Sequence, residues 1–159
     1  MSGRIYPGFV GPFFSAILLL FAFVLTTPAE SASTEPAPHE RELQAEGFVN
    51  GRLAVWQQRL NLQDWKISII MSHPSDLKPK TLGNIHWDAD KKSAIIRVLD
   101  SSDYRLPFRE MLEDMEFTVV HELMHLELSS LPRSEASRRD EEHAVNQIAD
   151  ALLKLDRKK

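Results

Sequence analysis

"FTVVHELMHLELSS", residues 117–130, is the stretch that decides how this chain folds. Wound at about 3.6 residues per turn, Val119, Val120, Leu123, Met124, Leu126 and Leu128 leave almost no polar side to the helix. A helix that is apolar all round belongs in a core. Glu110, Glu113 and Asp114 lie in its first turns, where the helix dipole favours acids. Pro132 lies just beyond it, where a helix cannot continue. The sequence therefore predicts one central helix over residues 110–129. Three groups break its oiliness, His121, Glu122 and His125, and burying them without partners costs free energy.

Working outward, Val49, Leu53, Trp56 and Leu60 fall at i, i+4, i+7 and i+11 and predict an earlier helix from about residue 40. "DWKISIIMS" then alternates, with Trp65, Ile67, Ile69 and Met71 on one side and Lys66, Ser68 and Ser72 on the other. That is a strand. "LGNIHWDADKKSAIIRVLD" reads as a hairpin, with Ile85 and Trp87 before the turn and residues 95–99 after it. Asp88 and Asp90 are turn residues, since the glycine and distal glutamate of a calcium loop are missing. After "SSLPRS", Ser134 suits an N-cap. Val145, Ile148, Ala149 and Leu152 then stripe a last helix to about residue 155. The expected order is α-β-β-β-α-α, an α+β domain with a small sheet containing antiparallel pairing, one N-terminal helix and two C-terminal ones.

The chain has 159 residues, enough for one domain. Residues 1–30 do not resemble that domain. Arg4 supplies a positive start, residues 13–25 run apolar but for Ser15, and "TTPAESASTEPAP" supplies small residues and prolines. This is the order of a secretory signal peptide, with cleavage expected after Ala29 or Ser31. Residues 31–39 read as a disordered linker and residues 40–159 as the folded domain. The expected destination is the periplasm or the exterior. The alternative is an inner-membrane anchor at residues 9–25, and the membrane is a partner only if that segment stays uncleaved. There are no cysteines, which excludes disulfides, thiolate metal sites and a lipid-modified cysteine. The formal net charge is −4 with the charges interspersed, and no basic block suggests nucleic acid.

His121 and His125 are four residues apart, so a helix stacks them on one face. Two imidazoles so placed can share one metal ion, and Glu122 can reach that ion's water. This is the H-E-x-x-H pattern of zinc sites. Ordinary core histidines are the bland alternative, but an ion would satisfy all three buried groups at once. Zinc in an open site takes a third protein ligand, and "DEEHAVNQIAD" offers Asp140, Glu141, Glu142 and His143. Glu142 leads, since it stands three before Val145, seven before Ala149 and four before Asn146. Glu141 is second; it shares a face with Val145 and Ile148, which would press it against apolar side chains. His143 is turned about 100° from Glu142.

"TVVHELMHLEL" followed by "EEHAVNQIADAL" resembles the minimal gluzincins, small bacterial and phage zinc metallopeptidase-like proteins. The resemblance covers most of the chain after residue 40 and implies a single zincin-like domain, with sheet first and active helix second. It implies Zn²⁺ held by His121, His125 and Glu142, with Glu142 and Asn146 matching the family's Glu-x-x-x-Asn/Asp spacing. It implies a hydrolase acting on a peptide or protein substrate through a zinc-bound water, with Glu122 as general base. A substrate strand would pair with a sheet edge, offered by "SAIIRVLD" or by the strand around Ile85. Two departures stand out. The gap from His125 to Glu142 is short, and no Tyr or His follows the ligand helix to stabilise an oxyanion. Tyr104 and His86, both upstream, are the remaining candidates. A non-catalytic zinc-binding interaction domain of an exported protein is the alternative reading.

Overall fold

The computed structural model describes residues 35–132 and 134–158. The expected signal segment, residues 1–30, lies outside the described residues. The elements are helix α1 (Pro38–Arg59), strands β1 (Lys66–Ser72), β2 (Gly83–Asp88) and β3 (Ser93–Leu99), and helices α2 (Phe108–Glu127) and α3 (Glu135–Asp156). This is the mixed α+β arrangement of three helices and a small sheet that the periodicities predict. Among the described residues no helix is long and apolar enough to cross a membrane.

The three strands lie in the order β1-β3-β2. β3 pairs parallel with β1 and antiparallel with β2, with Ile96 opposite both Ile69 and Ile85. "SAIIRVL" is thus the central strand, with both of its sides already paired. That corrects the expectation that it could offer an edge, and leaves β2 as an edge strand. Leu99 N–H donates to the Leu82 carbonyl, and hydrogen-bonded pairs alternate along an antiparallel ladder. The backbone groups of Gly83 and Ile85 therefore point away from β3, toward the open edge.

Ala94, Ile96 and Val98 of β3 are buried on the face that meets the helices, while Ser68, Ile70 and Ile95 on the other face are exposed. α2 fills the centre, with Met111, Met115, Val119, Val120 and Leu123 fully buried. Ala45, Val49, Leu53 and Trp56 of α1, and Val145, Ala149 and Leu153 of α3, close the core around it.

Polar contacts set the registers. Glu35 accepts from the Phe108 N–H at 2.7 Å and from Arg41 at 2.8 Å. It satisfies one of the orphan donors at the start of α2, so that helix begins at Phe108 rather than at residue 110. α1 likewise starts at Pro38, inside the span expected as linker, because proline is preorganised for the first turn of a helix. Glu116, buried in α2, accepts from Arg52 Nε at 2.5 Å and Trp56 Nε1 at 2.8 Å on α1. Arg52 also reaches Asp156 of α3 at 2.6 Å, and Arg59 pairs with the same carboxylate at 2.7 Å. One carboxylate–guanidinium network thus joins all three helices.

Gly83 brings the sheet onto α2. A Cβ there would overlap the Thr118 methyl and lie 2.7 Å from the Arg97 carbonyl oxygen. Only a residue without one allows the edge strand this close.

Candidate metal centre

His121 and His125 come from the middle of α2 and face α3. Ser134 and Ser137 form a reciprocal capping box that fixes where α3 starts. One turn further on come Glu141 and Glu142, with Asn146 four residues beyond Glu142 on the same face. Val145 and Ala149 pack this helix down on α2, and the small Ala149 leaves room for close approach.

His121 Nδ1 lies 3.1 Å from Asn146 Oδ1, and His125 Nδ1 lies 3.1 Å from Glu141 Oε1. An amide oxygen and a carboxylate can only accept, so both Nδ1 atoms donate. In neutral rings both Nε2 lone pairs then point to one spot, and the two Nε2 atoms are 3.0 Å apart. Glu142 completes the cluster, with carboxylate oxygens 3.5 Å from His121 Nε2 and 3.4 Å from His125 Nε2. Bonds of about 2.1 Å in a tetrahedron put ligand atoms about 3.4 Å apart. The donor types and spacings therefore fit one zinc-sized ion held by His121, His125 and Glu142. A proton between the rings is a poor substitute, because burial first and the neighbouring His125 second lower the His121 pKa.

The remaining sequence candidates separate cleanly. Glu141, whose side chain is 14% exposed, holds the far nitrogen of His125 with its carboxylate. Ile148 on that face is 38% exposed, so the face is not sealed. Asp140 and His143 are exposed and outside the cluster. Glu122 is buried beside the cluster. Burial, and then the charge of Glu142, push its pKa up to about 7, while Lys78 opposes the shift. Tyr104 is not on the cavity wall; its hydroxyl is buried, and burial and the Asp114 charge raise its pKa. That removes it as an oxyanion donor. His86 does line the cavity and is exposed.

The cluster opens into a cavity of about 860 Å³. α2 and α3 form one wall. The other is β2 with the loop before it, including Lys78, Lys80, Ile85 and Trp87. Sequence reasoning missed Gly83, whose Cβ position would lie 3.5 Å from Glu122 Oε1, and it missed the part Glu141 plays. A glycine opening an apolar strand was the available signal for the first.

No protein-family model, no curated protein and no solved structure matches the chain, so the site is read on its own geometry.

Proposed function

We propose that this chain is a zinc-dependent peptidase built on a minimal gluzincin-like, zincin-like domain. The observation that carries the reading is the convergence of His121 Nε2, His125 Nε2 and Glu142 within 3.5 Å, with a buried Glu122 beside them and outside that group. A bound zinc ion would supply a Lewis acid that polarises a carbonyl and lowers the pKa of a water molecule.

The chain's own residues do the rest. Asn146 and Glu141 hold the two imidazoles with Nε2 facing the cavity, the usual office of partners around metal ligands. Glu122, buried beside the cluster, would act as general base and accept the proton of the attacking water. It then delivers that proton to the leaving amine. The outward backbone groups of Gly83 and Ile85 offer a strand-pairing edge for an extended peptide, beginning beside Glu122. In this reading residues 1–30 direct export and are removed.

A second reading is favoured by one observation: Tyr104 lies off the cavity wall, so among the described residues no tyrosine stands by to stabilise an oxyanion. It is a zinc-binding interaction domain without turnover. The test is Glu122→Gln in the zinc-loaded protein, assayed on a broad peptide library by mass spectrometry. The peptidase reading expects zinc content to stay at one per chain and hydrolysis to fall by about 10²–10⁴. Wild type and variant equally inert would establish the non-catalytic reading.

A further inference from the structure

The lining of the cavity carries charge that the proposed chemistry does not use. Lys78 and Lys80 stand on the loop entering β2, and Arg138 stands on the first turns of α3; all three line the cavity and are exposed. Among the described residues, none of the three has a carboxylate within ion-pairing distance. Most of the other exposed cations near acids are paired, as Lys91 is with Asp88 and Lys154 with Asp150. The Lys78 loop is held in place, since its carbonyl accepts from both the N–H and the hydroxyl of Thr81 at 3.1 and 2.8 Å. Lys78 is close enough for its charge to be felt at Glu122. Arg138 is four residues before Glu142, hence on the ligand face of α3.

Three carboxylates, Glu122, Glu141 and Glu142, offset these three cations. A divalent ion leaves the cavity with an excess of two positive charges, within a chain whose formal net charge is −4. We propose that the Lys78, Lys80 and Arg138 wall selects a peptide bearing a carboxylate, either an acidic side chain or the chain terminus, next to the bond presented to the metal centre. The choice of a peptide rests on the function proposed above; the selection of a carboxylate rests on the unpaired cations.

Binding tests this without turnover. Full-chain Glu122→Gln protein loaded with Zn²⁺ is titrated with matched fluorescent peptides. One pair differs by Glu against Gln, the other by a free against an amidated C-terminus. Three rim pairs, each of the modest strength usual for exposed charges, should together favour the carboxylate peptide about tenfold at low ionic strength. The gap should close as salt rises and shrink toward none in the Lys78→Gln, Lys80→Gln, Arg138→Gln triple variant. Lys91→Gln, in the β2–β3 turn, should leave it intact. Which pair shows the gap identifies the source of the carboxylate. Equal binding of both members of both pairs overturns the proposal. So does a gap that survives the triple variant, since the ion alone would then be capturing the carboxylate. If the triple variant folds poorly, Lys78→Gln and Arg138→Gln singly carry the same test. A gap in binding with no hydrolysis by wild type supports this inference and refutes the peptidase reading. Hydrolysis without a gap does the reverse.

Discussion

Replacing Glu141 and Glu142 in turn separates a residue that orients a ligand from one that is a ligand. Both are glutamates and adjacent on one helix, so propensity and helix-dipole effects nearly cancel between them. Glu142 has oxygens 3.5 and 3.4 Å from the two Nε2 atoms, and in the proposed site its removal would leave two ligands. Glu141 Oε1 lies 3.1 Å from Nδ1 of His125, the nitrogen on the far side of the ring from the cluster. Loss of such a partner typically costs 10–100-fold in metal affinity. Glu141→Ala is therefore expected at the upper end of that range, and Glu141→Gln at the lower end, because its amide oxygen still accepts from Nδ1. Glu142→Ala should exceed a hundredfold. Competition against a chromophoric chelator at fixed pH measures the zinc affinities directly. Melting of the loaded protein gives a second readout, since a hundredfold weaker affinity removes about 2.7 kcal/mol of ligand-linked stability at saturating zinc. For a domain of this size that lowers Tm by roughly 10 °C. If Glu141→Ala weakens zinc as much as Glu142→Ala does, or more, the assignment of ligand and partner is wrong.

Three further outcomes test the frame around the site. Gly83→Ala should lower stability by about 1–3 kcal/mol through overpacking, read as a lower denaturant midpoint. Thr118→Ser in the same chain should recover part of the loss, because the clash is with its methyl. Glu116→Ala should cost about 2–4 kcal/mol, somewhat below the usual penalty for breaking a buried pair, because Arg52 keeps Asp156. An unchanged midpoint would show that the network adds nothing. Hydrogen bonds from Arg59 and then Arg52 hold the Asp156 pKa at about 2, against 3.8 unperturbed. A carboxylate depressed in the folded state stabilises above its unfolded pKa and loses that contribution as pH falls through the folded value. Asp156→Asn should therefore flatten the stability loss between about pH 4 and pH 2, measured by urea titration at each pH.

The elements were legible because their apolar periods are clean. Val49, Leu53 and Trp56 mark one helix face, and Ile67, Ile69 and Met71 one strand face, whatever lies around them. Neighbour relations were not legible. Alternation assigns faces but says nothing of which strand sits between which, so the central place of β3 had to come from the structure. The metal cluster was readable in part, since His121 and His125 are one turn apart on any helix. The partner of Glu141 was not, because a helical wheel gives the direction of a Cβ and not the reach of a flexible side chain. Nor was the burial of Glu116. Its counter-charge, Arg52, is far away in sequence, and only a carboxylate amid Met111, Met115 and Val119 hinted at it. Residues 35–39 read as linker by composition, yet Glu35 earns its order by satisfying an N–H at the start of α2.

α2 is gripped from two sides, and this explains why an open polar site survives in so small a domain. Glu116 and His121 are five positions apart, about 140° round the helix at ~100° per residue. The carboxylate network therefore holds one flank of α2 while the histidines face another. α3 is tied to both. Its early turns meet the site through Glu141, Glu142 and Asn146, and its last turn meets the network through Asp156. Between those anchors, about 21 Å apart at ~1.5 Å per residue, only Val145, Ala149 and Leu153 need to bury. The register of α3 against α2 is thus fixed by directional bonds at each end and by shape in the middle. Without an ion, two Nε2 lone pairs converge at 3.0 Å, an arrangement that costs energy. The far anchor and the core hold the early turns of α3 in place, which in the proposed zinc site would keep Glu142 beside the two imidazoles before an ion arrives.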